Sequence, residues 1–142
     1  MDKMNKKMKS IQDDIIKEFS RFDDWFDIYE HIINKGKNHD FDDETLKSEE
    51  YSIGGCQSSV WIKSQMKDGT IHFSGDSDSL IVKGILSFIL EVVNDQDPKE
   101  ILQSDLYFLD KLGFRSNLSP TRVNGINAIV KEIKTKAKEN SK

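Results

Sequence analysis

Apolar residues recur at helical spacing from early in the chain. Ile11, Ile15, Ile16, Phe19 and Phe22 follow Ser10, which predicts a first helix capped at that serine. A second helix is expected from about Asp23, where two acids favour the positive end of the helix dipole. Trp25, Tyr29, Ile32 and Ile33 share one of its faces, and Gly36 is its expected stop. Residues 37 to 50 lose this periodicity and read as a surface loop or a short helix. From Tyr51 the period becomes two. Val60, Ile62, Ser64 and Met66 share one face of a strand, with Trp61 and Lys63 on the other. Lys67-Asp68-Gly69 predicts a hairpin turn, and Thr70 to Ser74 the return strand. Asp76, Ser77 and Asp78 offer N-caps for a helix from about Ser79 to Val93 that is apolar nearly all round, hence central.

Asp97-Pro98 and Ser119-Pro120 each place a cap before a proline at the first helical position. Between them, Ile101, Leu102, Leu106, Phe108, Leu109 and Leu112 supply one or two short helices ending near Gly113. Ile126, Ile129, Val130 and Ile133 face inward from a last helix. Two helices, a hairpin with room for a third strand, then three or four helices define an α+β chain: a small antiparallel sheet with helices packed on it.

The length of 142 residues allows one domain, 1–142, with flexible tails expected at 1–10 and 138–142. A chain this size buries roughly 68% of its unfolded surface, enough for a core without disulfides or a structural metal. Bases number 21 and acids 25, a net charge of −4 that argues against nucleic acid as a partner. No apolar run approaches the ~20 residues of a membrane span, so no membrane association is expected. Met1 to Ser10 lacks the apolar stretch of a secretory signal, and a lone free thiol fits a reducing compartment; the expected location is cytoplasmic. Charge is uneven. Residues 13 to 50 hold thirteen acids and five bases, a local balance of −8. Solvated helix faces explain such a bias, and an acidic face meeting a basic partner is the sharper alternative.

Candidate chemistry concentrates in Ile53-Gly54-Gly55-Cys56-Gln57-Ser58-Ser59-Val60-Trp61. Two glycines leave little side-chain bulk ahead of the only cysteine, so its thiol can sit on a tight, approachable loop. A core cysteine has no need of those glycines. One thiol also excludes any multi-cysteine metal site built from this chain, and no metal or organic cofactor is expected. His31, His39 and His72 show no metal-ligand spacing. His72, on the return strand, is the candidate base for an alternative in which Cys56 and His72 form a thiol hydrolase, although neither an orienting residue nor an oxyanion motif accompanies it. Trp61 reads as a packed aromatic beside the loop. Arg122 lies near a helix start, where a cation gains nothing from the dipole, and this favours a functional reason for it.

Gly55-Cys56-Gln57-Ser58-Ser59-Val60-Trp61 resembles the cysteine loop of the SufE family, the sulfur-acceptor proteins of cysteine desulfurases. Gly75-Asp76-Ser77-Asp78 with Ile81-Val82-Lys83-Gly84, then Leu118-Ser119-Pro120-Thr121-Arg122 with Asn124-Gly125, match it in order and spacing. Trp25 with Tyr29 is a weaker match. The resemblance spans about residues 11 to 137. It implies a SufE/IscU-like fold and a sulfur carrier and desulfurase activator rather than an independent enzyme. Cys56 would accept persulfide sulfur from a SufS-type cysteine desulfurase and pass it to the Suf iron–sulfur scaffold complex. Arg122 would engage the desulfurase near the loop, Asp78 would close the Ser-Asp pair beneath it, and Gly55 and Gln57 would support it from either side. Two departures bear on loop mobility and partner choice: residues 37 to 50 lack proline, and position 54 is glycine where a polar residue is more usual. Thiol exchange needs only one cysteine, and a persulfide in transit gains from having no second thiol nearby to resolve it.

Overall fold

The computed structural model describes residues 7–39, 45–54 and 59–141. Its elements run α1 Met8–Phe19, α2 Trp25–Lys37, β1 Val60–Lys67, β2 Thr70–Ser77, α3 Leu80–Val93, α4 Pro98–Gln103, α5 Phe108–Lys111, α6 Phe114–Asn117 and α7 Pro120–Glu139. The order is that of an α+β fold. β1 and β2 pair antiparallel from Val60↔Ser77 to Lys67↔Thr70. Asp68 and Gly69 both hold positive φ, 54° and 85°, as a two-residue turn matched to the twist of a hairpin requires.

The hairpin gains no full third strand among the described residues. Ser52 forms an isolated bridge with Trp61, and the Ile53 amide donates to the Val60 carbonyl at 3.0 Å. The far edge of β2 is closed by a backbone bridge and then by a side chain. In the bridge, the Ile71 amide donates to the Gln96 carbonyl at 3.0 Å and the Asp95 amide donates to the Ile71 carbonyl at 2.9 Å. The Asn94 amide group accepts from the Phe73 N–H at 2.7 Å and donates to the Phe73 carbonyl at 3.1 Å, replacing a missing strand.

α3 is the centre, as its all-round apolarity implies, and packs against α1, α2, α7 and β2. Ile85, Leu86, Phe88 and Ile89 are fully buried. Gly84 lets α2 approach closely: a Cβ there would overlap the Ile32 carbonyl oxygen. On the facing helix, a Cβ at Gly36 would stand 3.0 Å from the Gly84 amide nitrogen. Gly36 is therefore not the stop that its residue type suggests. It is a buried contact inside α2, which ends one residue later, before the Asn38 cap.

Other boundaries also move. α1 begins at Met8 rather than after Ser10, without a side-chain cap, because Met8 is itself buried. Met8 to Ser10 thus form its first turn, and at the other end α7 continues to Glu139. β2 runs three residues past Ser74, so Asp76 and Ser77 belong to the strand and do not cap α3. That cap is Ser79, whose hydroxyl accepts from the Val82 amide at 3.3 Å. Three short helices rather than one or two separate Asp97 from Ser119; the second ends as expected next to Gly113, which at φ 74° follows the Leu112 cap and also leads into the third. Leu46, inside the stretch read as a polar loop, is buried. Among the described residues no helix is long and apolar enough to cross a membrane.

Candidate functional site around the base of the cysteine loop

Gly55, Cys56 and Gln57 lie outside the described residues. The chain on either side of them is held. Ser59 donates its amide hydrogen to Asp78 Oδ1 at 3.0 Å, and the Asp78 amide donates to the Ser59 carbonyl at 3.2 Å. This reciprocal pair carries the hairpin one step beyond Val60↔Ser77 and fixes the point where the glycine–cysteine segment rejoins the sheet. Asp78 is suited to this by exposure and by a carboxylate released from capping duty.

Beneath that point sits Asp76, its side chain only 5% exposed and opposite Trp61 in the sheet register. A carboxylate so buried needs both charge and hydrogen bonds to offset its lost hydration. Lys83 stands at 3.3 Å, Lys47 at 3.4 Å, and the Ser77 amide donates at 2.7 Å. Lys47 also lies 5.5 Å from the centre of the Trp61 ring. The Asp76 carboxylate thereby ties the segment around Lys47 to β2, and the Trp61 ring ties it to β1, beside the place where the cysteine segment leaves the sheet.

The third element is the start of α7. Ser119 accepts from the Arg122 amide at 3.4 Å, and Pro120 occupies the first turn. The Arg122 guanidinium donates through Nη1 to the Tyr29 hydroxyl at 2.6 Å and stands 5.8 Å from the centre of that ring. Two of the sequence matches, 93 residues apart, are thus joined by one bond. On the other side of α7, Asn124, Asn127, Ala128 and Lys131 face Ile53 and Gly54 across a groove of about 530 Å³. The first turns of α7 therefore lie between α2 and the chain leading into Gly55.

Residues 13–137 match the SufE family, described as an Fe–S metabolism associated domain. The chain belongs to the SufE family. An uncharacterised SufE-like protein of Rhizobium meliloti (strain 1021) is 32% identical over 130 residues, 88% of this chain and 93% of that protein. The solution structure of a hypothetical protein from Thermus thermophilus shares the fold at a TM-score of 0.73 and 12% identity, covering 91% of this chain and 94% of that one. SufE membership associates the chain with Fe–S metabolism, and so with sulfur-mobilising partners.

Against this SufE background His72 takes a separate position. It does have an orienting carboxylate that the sequence conceals, Asp95 Oδ1 at 3.1 Å from Nδ1. Both side chains are more than half exposed, and His72 pairs with Gln65 near the hairpin turn. Gln65 lies five residue steps along β1 from Val60, about 17 Å at ~3.4 Å per residue. The described residues offer no route by which this pair serves the Ser59 end. His31 contacts Glu18 Oε2 at 2.5 Å among the rings of Phe19, Phe22 and Phe88, which is a packing role. Lys47 escapes sequence reasoning altogether, since it acts through Asp76, far away in the chain, and no local pattern marks it. Ser59 is part of the cysteine motif, but its bond to Asp78 is not legible there.

Proposed function

We propose that this protein takes persulfide sulfur from a SufS-type cysteine desulfurase onto Cys56, stimulates that enzyme, and delivers the sulfur to the Suf scaffold for iron–sulfur assembly in the cytoplasm. The observation that carries the reading is the Ser59–Asp78 pair, which anchors the segment bearing the only cysteine to the sheet of a SufE-family chain. The Cys56 thiolate attacks the outer sulfur of the donor persulfide, a new S–S bond forms on Cys56, the donor's S–S bond breaks, and the donor cysteine leaves as thiolate. Exchange of one S–S bond for another needs no external oxidant. Gly55 and Gln57 flank the acceptor, Asp78 holds the downstream end, and Arg122 meets the donor enzyme from the start of α7.

The test is incubation with a cysteine desulfurase and sulfur-labelled cysteine. The wild-type protein gains a label that reductant removes and accelerates cysteine turnover; Cys56→Ser does neither, while its unfolding midpoint shifts by no more than about 0.5 kcal/mol in free energy. A serine variant that still carries label or stimulates fully defeats the reading. A thiol hydrolase built on Cys56 and His72 would instead leave no label on the protein.

A further inference from the structure

Phe26 does not serve the core. At 100° per residue it points about 120° away from Ile32, the fully buried residue of α2, and its side chain is 76% exposed. The other large apolar side chains exposed among the described residues, Met66 and Leu80, reach 39% and 45%. A single exposed phenylalanine needs no explanation by itself; this one has a setting. Tyr29 lies one helical turn further along the same side of α2, and its hydroxyl holds the Arg122 guanidinium at 2.6 Å. Around them Asp23, Asp24, Asp27 and Glu30 make this end of α2 strongly acidic. An exposed aromatic, a tyrosine and a held arginine are the residue types that dominate binding energy at protein interfaces, and an acidic rim selects a basic counterpart.

We propose that Phe26 is the apolar anchor by which the persulfide-donating desulfurase docks. Its ring enters an apolar pocket on that enzyme rimmed by lysine or arginine side chains, which face Asp23, Asp27 and Glu30. Arg122, held by Tyr29 one turn along α2 from Phe26, meets a carboxylate or backbone carbonyl of the same surface. This rests on the sulfur-acceptor reading above and adds to it the place and chemistry of contact. Asn124, two residues beyond Arg122 in α7, lines the groove at Ile53 and Gly54, so the patch and the chain leading into Gly55 border the same helix start.

The test is a binding titration of the full chain with a SufS-type cysteine desulfurase at two salt concentrations. Phe26→Ala raises Kd about 30-fold (about 2 kcal/mol), Phe26→Tyr recovers most of the loss, and Asp27→Asn with Glu30→Gln weakens the salt dependence of association. The unfolding midpoint and the alkylation rate of Cys56 stay at wild-type values. Binding of Phe26→Ala within twofold of wild type overturns the proposal while leaving the acceptor reading intact. The same holds if Phe26→Ala changes only the protein's own oligomeric mass, which would make a second copy the occupant. Absence of wild-type binding and stimulation overturns both.

Discussion

The two ends of α2 are built for opposite purposes. Toward its C-terminus, Ile32 and Gly36 bring the backbone against Gly84 of α3, with no room for an added methyl group at Gly84. Toward its N-terminus, Phe26 stands in solvent and Tyr29 reaches across to Arg122. One helix thus supplies both a contact tight enough to set helix spacing and an end that presents side chains. Close backbone packing at one end makes the direction of the other predictable, because a helix pinned at Gly36 cannot roll to hide Phe26 without opening the glycine contact. Rigidity at one end is the condition for display at the other.

The strongest way to break this arrangement is Gly84→Ala. Its Cβ meets the Ile32 backbone, which has little freedom to yield, so the helices must separate. Overpacking of about 3 kcal/mol, less ~1 kcal/mol of improved helix propensity, leaves a loss of about 2 kcal/mol, read as a lower urea midpoint. Gly36→Ala, whose Cβ would stand 3.0 Å from its nearest neighbours, stays within about 1 kcal/mol of wild type. Equal stability of wild type and Gly84→Ala would show that the two helices do not touch where the glycines place them.

The display end is sharpened by Tyr29→Phe, which keeps the ring and deletes the hydroxyl that accepts from Arg122. The guanidinium is then less well held. Desulfurase binding should weaken about fivefold, equivalent to roughly 1 kcal/mol for one hydrogen bond, with the unfolding midpoint almost unmoved. A parallel loss of stability would make the bond structural and not a device for positioning Arg122.

The smallest effect lies away from both ends of α2, where α1 meets the start of α5. Tyr107 donates to Asp13 Oδ1 at 2.6 Å. Partial burial, and then the bond to Asp13, push its phenol up to about 12. The hydrogen bonds from Tyr107 and Lys9 hold the Asp13 carboxyl below its ordinary value. A phenol raised in the folded state contributes stability that is complete below pH ~10 and fades as pH rises through about 12. A carboxyl lowered in the folded state contributes above pH ~4 and loses that contribution as pH falls. Denaturation of wild type and Tyr107→Phe across pH 3 to 12 should therefore show a gap that is constant at neutral pH and closes toward both extremes, with desulfurase binding unaffected at pH 7. A gap that persists at both extremes would remove the Tyr107–Asp13 bond as its cause.

Much of the fold is written in local chemistry. Asp24, Ser79, Asp97 and Ser119 each accept a hydrogen bond from the first turn of their helix, and each lies in a stretch where the residue pattern announces a start. The Asp68-Gly69 turn follows from the left-handed backbone that those two residues tolerate. The errors share a cause. Gly36 resembles a stop because glycine ends helices, yet its small size is spent on Gly84, 48 positions away. Asp76 and Ser77 resemble caps because such residues cap helices, yet pairing with β1 draws them into the strand. A residue type that suits two local roles is assigned between them by whatever packs against it.

The candidate site divides along the same line. The order of residues alone determined that one thiol, preceded by two glycines, precedes a hairpin, and that a capped helix carries Arg122 in its first turn; these are short-range facts. Only the tertiary structure decided that Arg122 answers to Tyr29, that Asp78 grips Ser59 instead of capping a helix, that Asp76 gathers Lys47 and Lys83 beneath the loop base, and that Phe26 is left in water. Each of those outcomes joins groups at least seven and as many as 93 positions apart or depends on which helix face meets α3, and such pairings are set by packing the whole chain at once rather than by any stretch of it.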